Sequence, residues 1–141
     1  MAFQQGQTLS FRSDIAQGGQ NLSSNTLKMA LYTGFATLGP TTTAYTTDNE
    51  VVGTGYTAGG VTITGVTINT DTTNNTVYVN FNNVSWPGAD FTARGALIYN
   101  STQSNKSVAV LDFGSDKTFT STTNTVTMPV NSSTTALLRF V

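Results

Sequence analysis

The chain has 141 residues, of which 28 are threonine, and charged residues make up only 9% of it. It contains no histidine and no cysteine, which excludes Ser-His-Asp triads, Cys-His pairs, disulfides and the usual zinc sites. The net charge is -1 and no run of basic residues is present, so nothing in the chain resembles a phosphate-binding surface. We expect no nucleic-acid partner.

The amino-terminal region, residues 1–25, predicts an arm that contains one short helix. Leu9 to Ala16 has apolar residues at roughly helical spacing, and Gly18-Gly19 is a typical stop signal. The first residues lack the basic start and apolar run of a secretory signal. No stretch approaches the ~20 apolar residues of a membrane span, so we expect no membrane partner.

From residue 26 onward, alternating apolar and polar residues predict a series of short β-strands. Gly65 shifts the phase of one segment and indicates either a bent strand or two short ones. Asp71 to Asn75 is a turn cluster that predicts a hairpin, and Pro129 places its own strand at a sheet edge because proline cannot donate to a ladder. The predicted strands are Leu27 to Leu31, Val61 to Ile68, Val77 to Phe81, Ala96 to Tyr99, Val108 to Leu111, Val126 to Val130 and Ala136 to Val141.

This pattern predicts an all-β fold, an antiparallel two-sheet β-sandwich with a short N-terminal helix. Ala96 to Tyr99 and Val108 to Leu111 are apolar on both faces, which is typical of central strands covered by two layers. Jelly-roll and immunoglobulin-like topologies both fit the strand count. No linker divides the chain, so residues 1–141 form one domain, in which residues 26–141 are the sandwich.

The remaining polar clusters are better explained by turns than by sites. Asp112 and Asp116 are a conceivable glycosidase pair, but Asp116 lies in a Gly-Ser-Asp-Lys turn. Asp71 to Asn75 has the wrong spacing for calcium, and the Gly53 to Gly60 segment lacks the lysine and helix of a phosphate loop. We predict no enzyme activity, no catalytic or metal residue and no cofactor.

Two residues have competing interpretations, and one segment is a candidate for interactions. Trp86 is either a core residue or an exposed anchor, and the core is the commoner place in a sandwich. Arg94, at the entry to an apolar strand, is either a buried donor to backbone carbonyls or an interface contact. The segment from Thr41 to Gly60 is long for a sandwich connection, and such loops often carry interactions.

Several segments resemble a family of small proteins encoded by tailed bacteriophages and prophages. The similarity extends over nearly the whole chain. The segments that carry it are Ser10 to Gly18, Thr26 to Thr33, Thr42 to Thr47, Glu50-Val51, Gly53 to Gly60, Phe91 to Ser101 and Ser107 to Gly114.

The resemblance implies a structural virion protein, made in the host cytoplasm and located on the capsid surface. We expect a decoration or cement protein that binds the major capsid protein, and a homo-oligomer, either dimer or trimer. A tail or neck protein is the alternative within this class, and a carbohydrate-binding module is the alternative outside it. Exposure arguments name Phe3, Phe11, Arg12, Tyr45 and Tyr56 as the expected contact residues. Arg94 joins them as the candidate interface contact at the entry to its strand.

Overall fold

The computed structural model describes residues 2–120 and 123–141. Within them the fold is mostly β-structure with one short helix, as predicted. The elements in chain order are β1 (Gly6–Gln7), α1 (Leu9–Gln17), β2 (Leu27–Tyr32), β3 (Val61–Thr62), β4 (Thr67–Asp71), β5 (Thr76–Asn80), β6 (Val84–Trp86), β7 (Phe91–Asn100), β8 (Lys106–Phe119), β9 (Asn124–Val126) and β10 (Leu138–Phe140). No helix among these residues is long and apolar enough to cross a membrane.

Helix α1 begins at Leu9, as the sequence predicts, and ends at Gln17, one residue beyond the predicted Ala16. The Thr8 hydroxyl accepts a hydrogen bond from the Phe11 amide and so caps the first turn. Gly18 adopts a left-handed conformation, with φ of 76°, and closes the last turn. Phe11 is fully buried and attaches the helix to the core.

The largest sheet has five antiparallel strands in the order β1-β8-β7-β2-β3. Strand β2 pairs with β7 along its whole length, from Leu27 opposite Asn100 to Tyr32 opposite Gly95. The apolar stretches of β7 and β8 are buried on both faces, which confirms that they are interior strands. The amino-terminal arm, residues 1–25, contributes an edge strand to this sheet, because β1 pairs with β8.

Two smaller sheets complete the described strands. Strands β4 and β5 form the hairpin predicted around the Asp71 turn, and β10 pairs with the other side of β5. Strands β6 and β9 form a separate ribbon. Gly65, with φ of 68°, lies between β3 and β4, so this segment forms two short strands that belong to different sheets.

The five-stranded sheet separates two hydrophobic clusters. Because successive residues of a strand point to opposite faces, Met29 and Leu31 enter one cluster, whereas Ala30 and Tyr32 enter the other. The larger cluster also contains residues from the two smaller sheets, such as Val79 and Trp86. The smaller one is covered by chain segments that include Ala36 and Leu38, with Phe3 and Tyr45 partly buried against it.

Two local expectations were wrong, and one strand was not predicted. Strand β9 ends at Val126 rather than Val130, because the Met128 amide bonds the Asn83 side chain and Pro129 has no amide hydrogen to offer. Asp116 lies within β8, where the pairing with β7 shifts register, and not in a turn between strands. Strand β6 was not predicted, since only three residues form it.

Candidate contact surface

The segment from Tyr45 to Tyr56, which we term the Tyr45–Tyr56 loop, is organised around one buried carboxylate. Glu50 is only 7% exposed. Its Oε2 accepts a hydrogen bond from the Tyr45 hydroxyl at 2.6 Å, and its Oε1 accepts one from the Tyr56 hydroxyl at 2.6 Å. The Gly59 amide donates a third, to Oε1, at 2.7 Å. These charge-assisted bonds tie both ends of the loop to its centre.

The loop is also attached to strand β2. The Val51 amide donates to the Leu31 carbonyl at 3.0 Å, and the Leu31 amide donates to the Tyr56 hydroxyl at 2.9 Å. The Tyr56 hydroxyl therefore accepts from the β2 backbone while it donates to Glu50. This single group links the loop, the carboxylate and the sheet.

Two further tyrosines, both on strands of the five-stranded sheet, stabilise the loop and the residues that follow it. The Tyr99 hydroxyl donates to the Gly59 carbonyl at 2.6 Å, and its ring stacks on that of Tyr45 with centroids 4.6 Å apart. The Tyr32 hydroxyl donates to the Thr46 carbonyl at 2.7 Å. Four of the five tyrosines therefore support one loop, although they are scattered in the sequence.

The tyrosines of this cluster remain protonated over a wide pH range. Burial raises the pKa of Tyr56, and its hydrogen bond to Glu50 raises it further. The same two causes, in the same order, raise the pKa of Tyr45. Burial also raises the pKa of Tyr32 and Tyr99. The tyrosine hydroxyls of the cluster are thus neutral hydrogen-bond donors, and those of Tyr45 and Tyr56 donate to the Glu50 carboxylate.

Gly60 explains part of the glycine-rich stretch that follows the loop. It has a φ of 80°, and a β-carbon at this position would overlap the Met29 carbonyl. The glycine therefore allows the chain to lie directly against the β2 backbone. Close packing against β2 therefore accounts for this glycine of the Gly53 to Gly60 segment.

Two large apolar side chains are exposed on the segments beside the C-terminal end of β2. Val52 is 95% exposed and Phe35 is 72% exposed. The segments that carry them are joined by a hydrogen bond from the Thr33 amide to the Asn49 carbonyl, at 2.9 Å. Sequence reasoning selected the tyrosines of the loop and missed these two residues, because single exposed apolar residues give no pattern.

The predicted contact residues of the amino-terminal arm lie in different environments. Phe11 is fully buried, so the expectation that it is exposed was wrong; its position on α1 directs it into the larger cluster. Phe3 is partly buried, and its ring lies directly over Gly95. Arg12 is exposed and lines an open groove of about 700 Å³ together with Arg139.

The structure places Arg94 of β7 beside an acidic side chain of the neighbouring strand β8. Its Nε lies 3.6 Å from Asp112 Oδ1, and both side chains are about one-third exposed. The pair lies where β7 and β8 shift register, between Ala93 and Gly95. The guanidinium is thus engaged within the chain, although it remains partly accessible.

Trp86 is 2% exposed, which confirms its place in the core and removes the sugar platform that an exposed indole would provide. Its ring makes an edge contact with Phe119, with centroids 6.0 Å apart. An open groove of about 490 Å³ lies nearby, between β8 and the segment from Asn124 to Pro129. Its lining includes the apolar side chains of Leu111 and Phe113.

Among residues 2–120 and 123–141 there is no group of three acidic side chains that could hold a metal ion. Asp71, considered as a calcium ligand, accepts hydrogen bonds from the backbone amides of Thr73 and Asn74. Hydrogen bonds from Ser133 and Asn74 lower the pKa of Asp71 from 3.8 to about 2. The residue forms the turn of the β4–β5 hairpin, as the simpler interpretation had it.

Comparison of the chain with protein-family models, curated proteins and solved structures returned no match.

Proposed function

We propose that this protein is a structural component of a tailed-bacteriophage virion, and that it decorates the capsid by binding the major capsid protein. The resemblance carried by segments such as Thr26 to Thr33 and Phe91 to Ser101 supports this class. The observation that carries the proposal is the Tyr45–Tyr56 loop itself. Its backbone is fixed by a buried carboxylate, and it presents Val52 to solvent.

A fixed loop is suited to stable binding because little conformational entropy is lost when a partner covers it. Val52 and Phe35 supply exposed apolar area next to the ordered backbone, and such side chains gain free energy on burial. The protein would add stability to the particle by mass action, since it binds the assembled lattice and not the unfolded subunits.

We also propose the finer architecture, a two-layer sandwich. The five-stranded sheet forms one layer, and the β10-β5-β4 sheet with the β6-β9 ribbon forms the other. This arrangement is supported by the larger cluster, where Met29 and Ile98 of one sheet join Val79 and Leu138 of the other.

The copy number of the protein in purified particles, measured by quantitative mass spectrometry, tests the virion role. We expect a fixed ratio to the major capsid protein that is near one or a simple fraction of it. A ratio of a few per cent would instead place the protein in the tail or neck. Absence from the particle would overturn the proposal.

The contact surface is tested with Val52→Asp and Phe35→Asp, each measured for binding to particles that lack the protein. We expect binding at least about tenfold weaker with an unchanged melting temperature, because both side chains are exposed and contribute little to folding. Val130→Asp is the matched control, since Val130 is 74% exposed and lies elsewhere in the chain. Equal binding by all three variants would exclude this surface.

A further inference from the structure

Strand β4 is the longest strand at the outside of a sheet in the described part of the chain. It spans Thr67 to Asp71 and pairs only with β5. The other outer strands are two or three residues long. One side of the β4 backbone therefore presents amide and carbonyl groups to which residues 2–120 and 123–141 supply no strand partner.

The β4 edge lacks the features that usually prevent strand pairing. It contains no lysine or proline, and none of its residues has a positive φ. The free edge of β8 differs in this respect. There Gly114 has a φ of 80°, the register shifts, and Asp112 and Lys117 add charge. Of these two edges only β4 keeps a continuous register and is uncharged over most of its length.

A half-exposed isoleucine shows that the apolar face of the β10-β5-β4 sheet is incompletely covered at this edge. Ile68 is paired with Val79, and paired residues of an antiparallel ladder share a face. Val79 is 1% exposed and belongs to the larger cluster, whereas Ile68 on the same face remains 49% exposed. One more strand beside β4 would cover Ile68 and satisfy the open backbone groups together.

The sequence of β4 is complementary to itself. In an antiparallel pair centred on Asn69, all five residues find partners: Asn69 lies opposite Asn69, Ile68 opposite Thr70, and Thr67 opposite Asp71. The two carboxylates lie at opposite ends of the ladder, so no like charges face each other. A net charge of -1 per chain adds little repulsion between copies.

We propose that β4 is the interface with a second copy of this chain, through antiparallel β4–β4 pairing centred on Asn69. The pair has two-fold symmetry and joins the two β10-β5-β4 sheets into one continuous six-stranded sheet. This inference is independent of the virion role, because it depends only on the open edge and its sequence.

A charge-exchange experiment tests the pairing and its register. In Asn69→Lys and in Asn69→Asp, like charges face each other across the two-fold axis, so we expect each variant alone to dimerise at least about tenfold more weakly than the unmodified chain. Mixing the two variants places Lys opposite Asp and should restore the dimer. Sedimentation velocity measures the association, and circular dichroism confirms that both variants are folded.

Cross-linking supplies a second test that does not depend on charge. The chain has no cysteine, so Asn69→Cys introduces a single thiol per copy. Residues opposite each other on antiparallel strands have Cα atoms about 4.5–5.5 Å apart, within the range of a disulfide. Under mild oxidation followed by denaturing electrophoresis we expect a covalent dimer, whereas Thr92→Cys, exposed on β7 of the other sheet, should form no covalent dimer.

Three results would overturn the proposal. They are a chain that remains monomeric at all concentrations, a mixture of the two charge variants that fails to associate, and an Asn69→Cys variant that cross-links no faster than Thr92→Cys.

Discussion

Glu50 places a carboxylate among three hydrogen-bond donors in the interior, from Tyr45, Tyr56 and Gly59. A buried donor that loses its acceptor costs about 1–3 kcal/mol. We therefore expect Glu50→Ala to reduce the free energy of unfolding by roughly 3 kcal/mol or more, measured by urea denaturation.

Asp48→Ala is the matched control for that change, because Asp48 is an exposed acid of the same loop. It should alter the free energy of unfolding by no more than about 0.5 kcal/mol. If the two variants were equally stable, the Glu50 cluster could not be what fixes the loop.

Trp86 is a second residue whose substitution should strongly reduce the free energy of unfolding. It is almost fully buried, so Trp86→Ala leaves a cavity, and we expect a loss of roughly 3–5 kcal/mol. Trp86→Phe should lose less, since the ring is retained and the indole Nε1 has no hydrogen-bond partner to give up. Chemical denaturation checks both, with exposed Phe35→Ala as the control. Unchanged stability of Trp86→Ala would contradict the core assignment.

At the scale of elements, alanine substitutions at two glycines distinguish the cost of backbone strain from the cost of a steric clash. Gly18 and Gly60 have similar positive φ values, of 76° and 80°. A β-carbon at Gly18 meets open space, whereas one at Gly60 overlaps the Met29 carbonyl. We expect Gly18→Ala to cost about 1–2 kcal/mol and Gly60→Ala considerably more, because β2 must move away.

Melting curves of the two glycine variants give the comparison directly. Equal losses for Gly18→Ala and Gly60→Ala would mean that the segment after the loop does not lie against β2 in solution.

Elements with a strong periodic pattern could be predicted from the sequence. The α1 helix has a stop glycine, the β4–β5 hairpin has a cluster of turn residues, and β7 is long and apolar, so local chemistry is enough to define them. Strands β1 and β6 have two and three residues, and they exist because distant strands pair with them. No local pattern reports such a pairing.

The Glu50 cluster could not be predicted for a related reason. Glu50 looks like an ordinary surface acid in sequence, and Tyr56 looks like an exposed loop residue. Only the fold brings Tyr45 and Tyr99 into contact across more than fifty residues of chain. The length of the loop was visible in the sequence, but the hydrogen bonds and ring contacts that stabilise it depend on tertiary structure.

For the whole molecule, the buried tyrosines predict that the folded protein loses stability at high pH. Their pKa values are raised by burial, so the folded state keeps these phenols protonated at pH values where the unfolded chain, with a pKa near 10.0, begins to ionise. This difference in pKa between the folded and unfolded states adds to the free energy of unfolding. The added stability is fully present below pH 10 and is lost as the pH rises above it. Melting temperature should therefore fall steeply above about pH 10.

Tyr56→Phe serves as the control for this pH dependence. It should be less stable at neutral pH, because Glu50 and the Leu31 amide lose a partner, but its melting temperature should fall less steeply at high pH. Identical slopes for the variant and the unmodified chain would contradict the assignment.

The pairing of β2 with β7 has a consequence for biosynthesis. Each residue of β2 pairs with a residue more than sixty positions later in the chain, so β2 leaves the ribosome well before its partner is made. Five of its six residues are buried in the native state. A nascent chain therefore exposes an apolar strand until β7 emerges, and closure of this long-range contact should set the folding rate.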